Sequence, residues 1–226
     1  MAPPIPYLSN LGFGAEIIYS FVIIICSLMV YFGTRELYEL SSYKGIKYFR
    51  QAFLFFAVAY FFRSFIKFVM DYFKISRILD FSPMIFGQFS LLLFMYFSSM
   101  AVFYLIYSLM WKKWNGSSKK IYLFHALAVI ISLAGIFFIN QMVYLGLNIF
   151  LLIFVIIISF ISNSDKKRGK KNNLHMIYTL LFIFWFFNVM DVLITDFLQN
   201  IQLFIYLISL GIFLTILYKV LKKTGS

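Results

Sequence analysis

Seven runs of predominantly apolar residues, each close to the length that crosses a bilayer and separated by short polar segments, restrict this chain more than any other feature. They cover approximately residues 15–34, 48–70, 84–110, 121–139, 142–161, 176–197 and 201–218. A spanning helix needs about 20 such residues to cross a hydrocarbon core of about 30 Å, and each run is close to that length. The fourth and fifth are divided only by Asn140 and Gln141, which read as the polar turn of a tight helical hairpin. The connections are too short to hold a soluble domain. The prolines, Pro3, Pro4, Pro6 and Pro83, lie outside the runs, so the helices are expected to be unkinked by proline. The expectation is an all-α integral membrane protein, one seven-transmembrane-helix bundle over residues 1–226, multi-pass in the cell membrane.

Orientation follows from where Lys and Arg fall. One set of alternate connections carries Arg35, Lys44, Lys47 and Arg50, then Lys112, Lys113, Lys119 and Lys120, then the run Lys166 to Lys171. Lys219, Lys222 and Lys223 follow the last run, whereas the opposite side holds only Lys74 and Arg77. The positive-inside rule then puts the N-terminus outside and the C-terminus in the cytoplasm. The same rule accounts for the net charge of +12, so nucleic acid is not an expected partner. The basic connections would favour anionic lipid headgroups or an acidic protein. Segment 35–50 reads as a solvated linker, with a short interfacial helical turn ended by Gly45 as the alternative. MAPPIPYLSNLGFG has neither a basic start nor a small-residue cleavage site and reads as a retained segment. The single cysteine, Cys26, excludes an intrachain disulfide and a thiolate metal cluster.

Charges inside the runs carry the functional expectation. In YFFRSFIKFVMD, Arg63, Lys67 and Asp71 recur every four residues, on one stripe of an α-helix with Tyr60 a turn before them. An ionisable residue in a spanning helix costs roughly 2.5–3.5 kcal/mol on insertion scales and marks a functional site by default. The sixth run repeats the pattern with Trp185, Asn188, Asp191 and Thr195, and Tyr206 and Ser209 extend it on the seventh. Glu16, Gln88, Asn148 and Gln202 fall in the outer halves of the first, third, fifth and seventh runs, so the polarity is one-sided. Two readings follow: a pocket open to the outside for a small polar or charged ligand, or a closed structural bridge between Arg63 and Asp191. His125 and His175 lack the further ligands a metal site needs, so no metal is expected.

Seven spans with the N-terminus outside resemble the microbial rhodopsins in topology and length. That family binds retinal through a lysine within the seventh helix, and this one has none before Lys219, so no retinal Schiff base and no other cofactor is expected. A three-one-three arrangement would be similar to small sugar carriers of the SWEET type, and YFFRSFIKFVMDYF aligns without gaps on WFFNVMDVLITDFL, pairing Phe61 with Phe186, Phe62 with Phe187 and Asp71 with Asp196. The intramembrane prolines of that family are absent. Size and topology also resemble seven-helix input modules of microbial signalling proteins, although no output domain follows. None of the three is assigned. The expected function is a receptor-like or sensory membrane protein signalling through a separate partner. A secondary carrier is the alternative, with a membrane-embedded lipid enzyme third; no recognisable catalytic constellation is present, and the reading leans away from an enzyme.

Overall fold

Proline tolerates the first turn of a helix, where its missing N–H has no intrahelical acceptor, and Pro6 and Pro83 stand at the first residues of two long helices. These are α1 (Pro6–Gly33) and α4 (Pro83–Met110). The computed structural model describes residues 6–65, 83–111, 114, 119–137, 146–147, 149–154, 156–157, 160, 179–187 and 199–224. Between α1 and α4 lie α2 (Arg35–Ser41), α3 (Lys44–Tyr60) and a π-helical turn (Phe61–Phe65). After α4 come α5 (Lys119–Phe137), helical stretches within 146–160 and over 179–187, and α6 (Gln199–Thr224). All regular structure among the described residues is helical.

Segment 35–50 departs from the linker reading. Thr34 bridges α1 and α2 without unwinding, its hydroxyl donating to the Val30 carbonyl at 2.7 Å and its carbonyl accepting from the Tyr38 N–H at 3.2 Å. Ser42, at φ 50°, ends α2 in the left-handed conformation, and its N–H closes on the Tyr38 carbonyl at 2.8 Å. Gly45 does not break a helix. It lies buried in the first turn of α3, where an added Cβ would stand 2.9 Å from the Ser108 carbonyl oxygen and 3.1 Å from the Trp111 ring, and would overlap the Tyr43 ring. The glycine lets the start of α3 rest against the end of α4.

Cross-helix contacts fix the directions of the chain. Tyr19 meets Tyr60 while Tyr31 meets Arg50, so α1 and α3 are antiparallel. Ser90 bonds Phe62 and Tyr104 packs on Tyr48, so α3 and α4 are antiparallel too. Met95 lies by Gly135 and Phe103 stacks on Phe124, which reverses α5 against α4. By contrast Tyr19 stacks on Tyr206 and Gly33 abuts Leu221, so α1 and α6 run parallel.

Residues 98–108 of α4 are buried without interruption, so that helix is enclosed on every side. On α1, Tyr19, Ile23, Cys26 and Val30 face inward at helical spacing, while Ile18, Phe21, Ile25, Met29 and Phe32 form an equally apolar outer stripe. Apolar surface on both faces suits hydrocarbon, not water. Three helical runs, Ile17–Ser41, Gln88–Met110 and Leu203–Lys222, are long and apolar enough to cross a membrane. Inside, apart from the hydroxyls and indoles of buried tyrosine and tryptophan, the buried polar side chains among the described residues are serine or threonine. Half of these serines and threonines bond back to a carbonyl of their own helix, as Ser99 does to Met95 and Ser108 to Leu105, both at 2.7 Å, which satisfies a hydroxyl where no water reaches.

Candidate functional site

The polar side chains of α1, α3 and α6 converge around the π-helical turn. A π turn carries one residue more than an α turn, so one backbone carbonyl loses its regular partner. Within this turn the Phe62 carbonyl accepts a hydrogen bond from the Ser90 hydroxyl of α4. The Phe61 N–H is shared between the carbonyls of Ala57 and Val58. Within Phe61–Phe65 the wider turn also shifts the side chains off the stripe expected from α-helical spacing. Arg63 sits within this turn, partly exposed. Its guanidinium carbon lies 5.5 Å from the centre of the Phe94 ring and 5.8 Å from that of Tyr60. Such contacts are worth about 0.5–2 kcal/mol, rising as water is excluded, so the rings hold the cation in place.

Beneath Arg63 the hydroxyls of Tyr60 and Tyr19 approach to 3.4 Å, and the Tyr19 ring stacks on Tyr206 with centroids 4.6 Å apart. Beside this pair Ser20, next to Tyr19 on α1, and Ser64 of the π turn, one turn after Tyr60, bond at 2.6 Å. The 179–187 stretch closes the cluster from another side, Phe184 packing on Tyr60 and Phe213, and Trp185 on Phe56. Two polar atoms here are buried with no hydrogen-bond partner among the described residues: Nε1 of Trp185 and Oγ of Ser209, one turn after Tyr206 on α6. An indole N–H can only donate, and leaving it unmet costs about 1–3 kcal/mol.

Of the residues singled out from the sequence, Tyr60, Arg63, Trp185, Tyr206 and Ser209 therefore reach one region. Gln88 is half-buried on α4. Glu16 and Gln202 belong to α1 and α6, their side chains outside those described. Lys67, Asp71, Asn148, Asn188, Asp191 and Thr195 lie outside the described residues, and with them any pairing of Arg63 with Asp191.

Aligned over 241 residues, the chain is 31% identical to an uncharacterized protein of Archaeoglobus fulgidus, with 99% of this chain and 100% of the archaeal protein covered. The chain belongs to that protein's family. No family model matches it, and no solved structure does. For this family the fold in hand supplies what the apolar pattern did not expose: Tyr19, Ser20, Ser64, Ser90 and Phe94 stand around Arg63. Tyrosine and serine are common in apolar helices. Only the presence of Ser64 beside Arg63 would have drawn attention to it.

Proposed function

We propose that the chain is a seven-helix, multi-pass protein of the cell membrane, N-terminus outside and C-terminus in the cytoplasm, acting as a receptor-like or sensory module that passes its signal to a separate partner. Its ligand site is the cluster around Arg63 in the outer half of the bundle. The seven-span reading is supported by the parallel course of α1 and α6, which requires an odd number of crossings from the first to the last if each connection reverses the chain. Orientation is supported by charge. The helix directions bring Arg35, Lys44, Lys47, Arg50, Lys119, Lys120, Lys219 and Lys222 to one end of the bundle, opposite the π turn.

The observation that carries the ligand reading is the π turn itself, an irregular helical turn that holds a cation against aromatic rings beside the indole N–H of Trp185, which meets no acceptor among the described residues. π bulges recur at functional sites, and unmet donors favour a ligand with acceptor atoms. Asp191, Asn188 and Thr195, with Lys67 and Asp71, complete the proposed site on the sequence pattern alone. A small carrier is the second reading, favoured by the same irregular turn, because carriers build substrate sites at interruptions of spanning helices.

The test is a thermal-shift screen of the purified protein in detergent against small polar and charged compounds. Compounds that stabilise the wild type are expected to lose their effect in Arg63→Gln and Trp185→Phe, whose own stability is measured without ligand. Equal stabilisation of the variants and the wild type would reject the site. Uptake of a stabilising compound into proteoliposomes would favour the carrier.

A further inference from the structure

A second cationic feature lies at the opposite end of the bundle, where α3 leaves α1. Arg50 donates from Nε to the Tyr31 carbonyl at 2.9 Å, and its guanidinium lies 4.8 Å from the centre of the Tyr31 ring. One face of the guanidinium is thus fixed against the last turn of α1. Its Nη groups have no acceptor among the described residues. Lys47, one turn earlier on α3 and exposed, is its neighbour at a spacing where like charges repel. Among the described residues no carboxylate pairs with them, and the ion pair found there joins Arg35 to Glu39. The Tyr31 ring in turn meets Phe32 edge-on at 5.1 Å, and Phe32, Met29 and Ile25 continue away from it as an exposed apolar stripe along α1. A clamped guanidinium and an ammonium therefore stand at the head of an apolar track running into the membrane.

We propose that Arg50 and Lys47 bind the phosphate of an anionic membrane lipid, whose chains lie along Ile25, Met29 and Phe32. Guanidinium groups suit phosphate because their N–H groups pair with two oxygens at once, and Arg50 is pre-oriented by its bond to Tyr31, so little freedom is lost on binding. The apolar stripe distinguishes a lipid from a free phosphate ion, which has no use for it. The site is separate from the Arg63 cluster and does not depend on what that cluster binds.

The experiment adds phosphatidylglycerol, phosphatidylcholine or inorganic phosphate to the full-length protein in a neutral detergent and reads lipid retention by native mass spectrometry, with melting temperature alongside. Phosphatidylglycerol is expected to be retained and to raise the melting temperature, phosphatidylcholine and phosphate to do neither. Lys47→Gln leaves the Tyr31 bond intact, so it is expected to weaken retention about fivefold, the factor set by about 1 kcal/mol per basic side chain, with the lipid-free melting temperature unchanged. Arg50→Gln is expected to lower both, since it also removes the donor to Tyr31. Equal retention of the two lipids, undiminished retention in Lys47→Gln, or an equal effect of inorganic phosphate would each overturn the proposal.

Discussion

At Gly45 the absence of a single methyl group sets how closely two helices can lie. Beyond the Tyr43 ring, a Cβ would press against a backbone oxygen, that of Ser108, which cannot swing aside without moving α4. Gly45→Ala is therefore expected to destabilise the protein by about 1–3 kcal/mol despite its gain in helix propensity, read as a lower melting temperature in detergent. Gly33→Ala is the control: its Cβ would meet only Cδ2 of Leu221, at 3.0 Å, the end of a flexible side chain. It should cost much less. Arg63 calls for a different argument. A cation held against Tyr60 and Phe94 at the depth of a spanning helix favours a counter-charge, and Asp191 is the partner proposed from sequence. If they pair, Arg63→Leu and Asp191→Leu should each cost roughly 3–5 kcal/mol, discounted where water reaches the site. The double variant should then recover much of the loss. Additive losses would show that the two are not partners. The sequence made Arg63, Trp185 and Tyr206 legible because charge and amide-like polarity stand out against leucine and phenylalanine. It did not expose Tyr19 or Ser90, whose roles depend on which helix lies opposite.

The helices themselves were far easier to read. Residues 84–110 and 201–218, expected from hydropathy, lie within α4 and α6, because long apolar runs have no other way to satisfy their backbone in a membrane. Hydropathy says little about what happens where a run ends. Segment 35–50 looked like a linker because its charges are mixed, yet Arg35 and Glu39 pair at 2.7 Å across one turn of α2. The π turn escaped for another reason: no residue in FFRSF demands it, and the Ser90 hydroxyl that bonds the Phe62 carbonyl comes from another helix. The end of α2 gives a direct test. Ser42 adopts φ 50°, a conformation that costs a residue with a Cβ about 1 kcal/mol or more and glycine almost nothing. Ser42→Gly is thus expected to raise stability by up to about 1 kcal/mol, and Ser42→Val to lower it by more, as β-branched residues tolerate this region least. A melting temperature lower in Ser42→Gly than in the wild type would mean that the serine hydroxyl matters more than the backbone.

For the whole molecule, the parallel pair α1 and α6 and the antiparallel pairs among α1, α3, α4 and α5 constrain which ends share a face. The α1–α2 junction, the start of α3 and the end of α4 lie together, and the π turn lies with the start of α4 on the far side. Ser41 in α2 and Ser76, between the π turn and α4 in sequence, should therefore fall on opposite sides of the membrane. Cys26, the single cysteine, is buried in α1, so the wild type provides a nearly silent background for thiol labelling. Because the basic residues gather at the Ser41 end, that end is expected in the cytoplasm. On intact cells a membrane-impermeant maleimide should label Ser76→Cys, and it should reach Ser41→Cys only after the membrane is opened. Labelling of Ser41→Cys alone would invert the orientation and move the Arg63 cluster to the cytoplasmic half, turning an external ligand site into an internal one. Labelling of both on intact cells would place the α1–α2 junction and the α3–α4 connection on one face, which the antiparallel contacts of α1 with α3 forbid in a spanning pair.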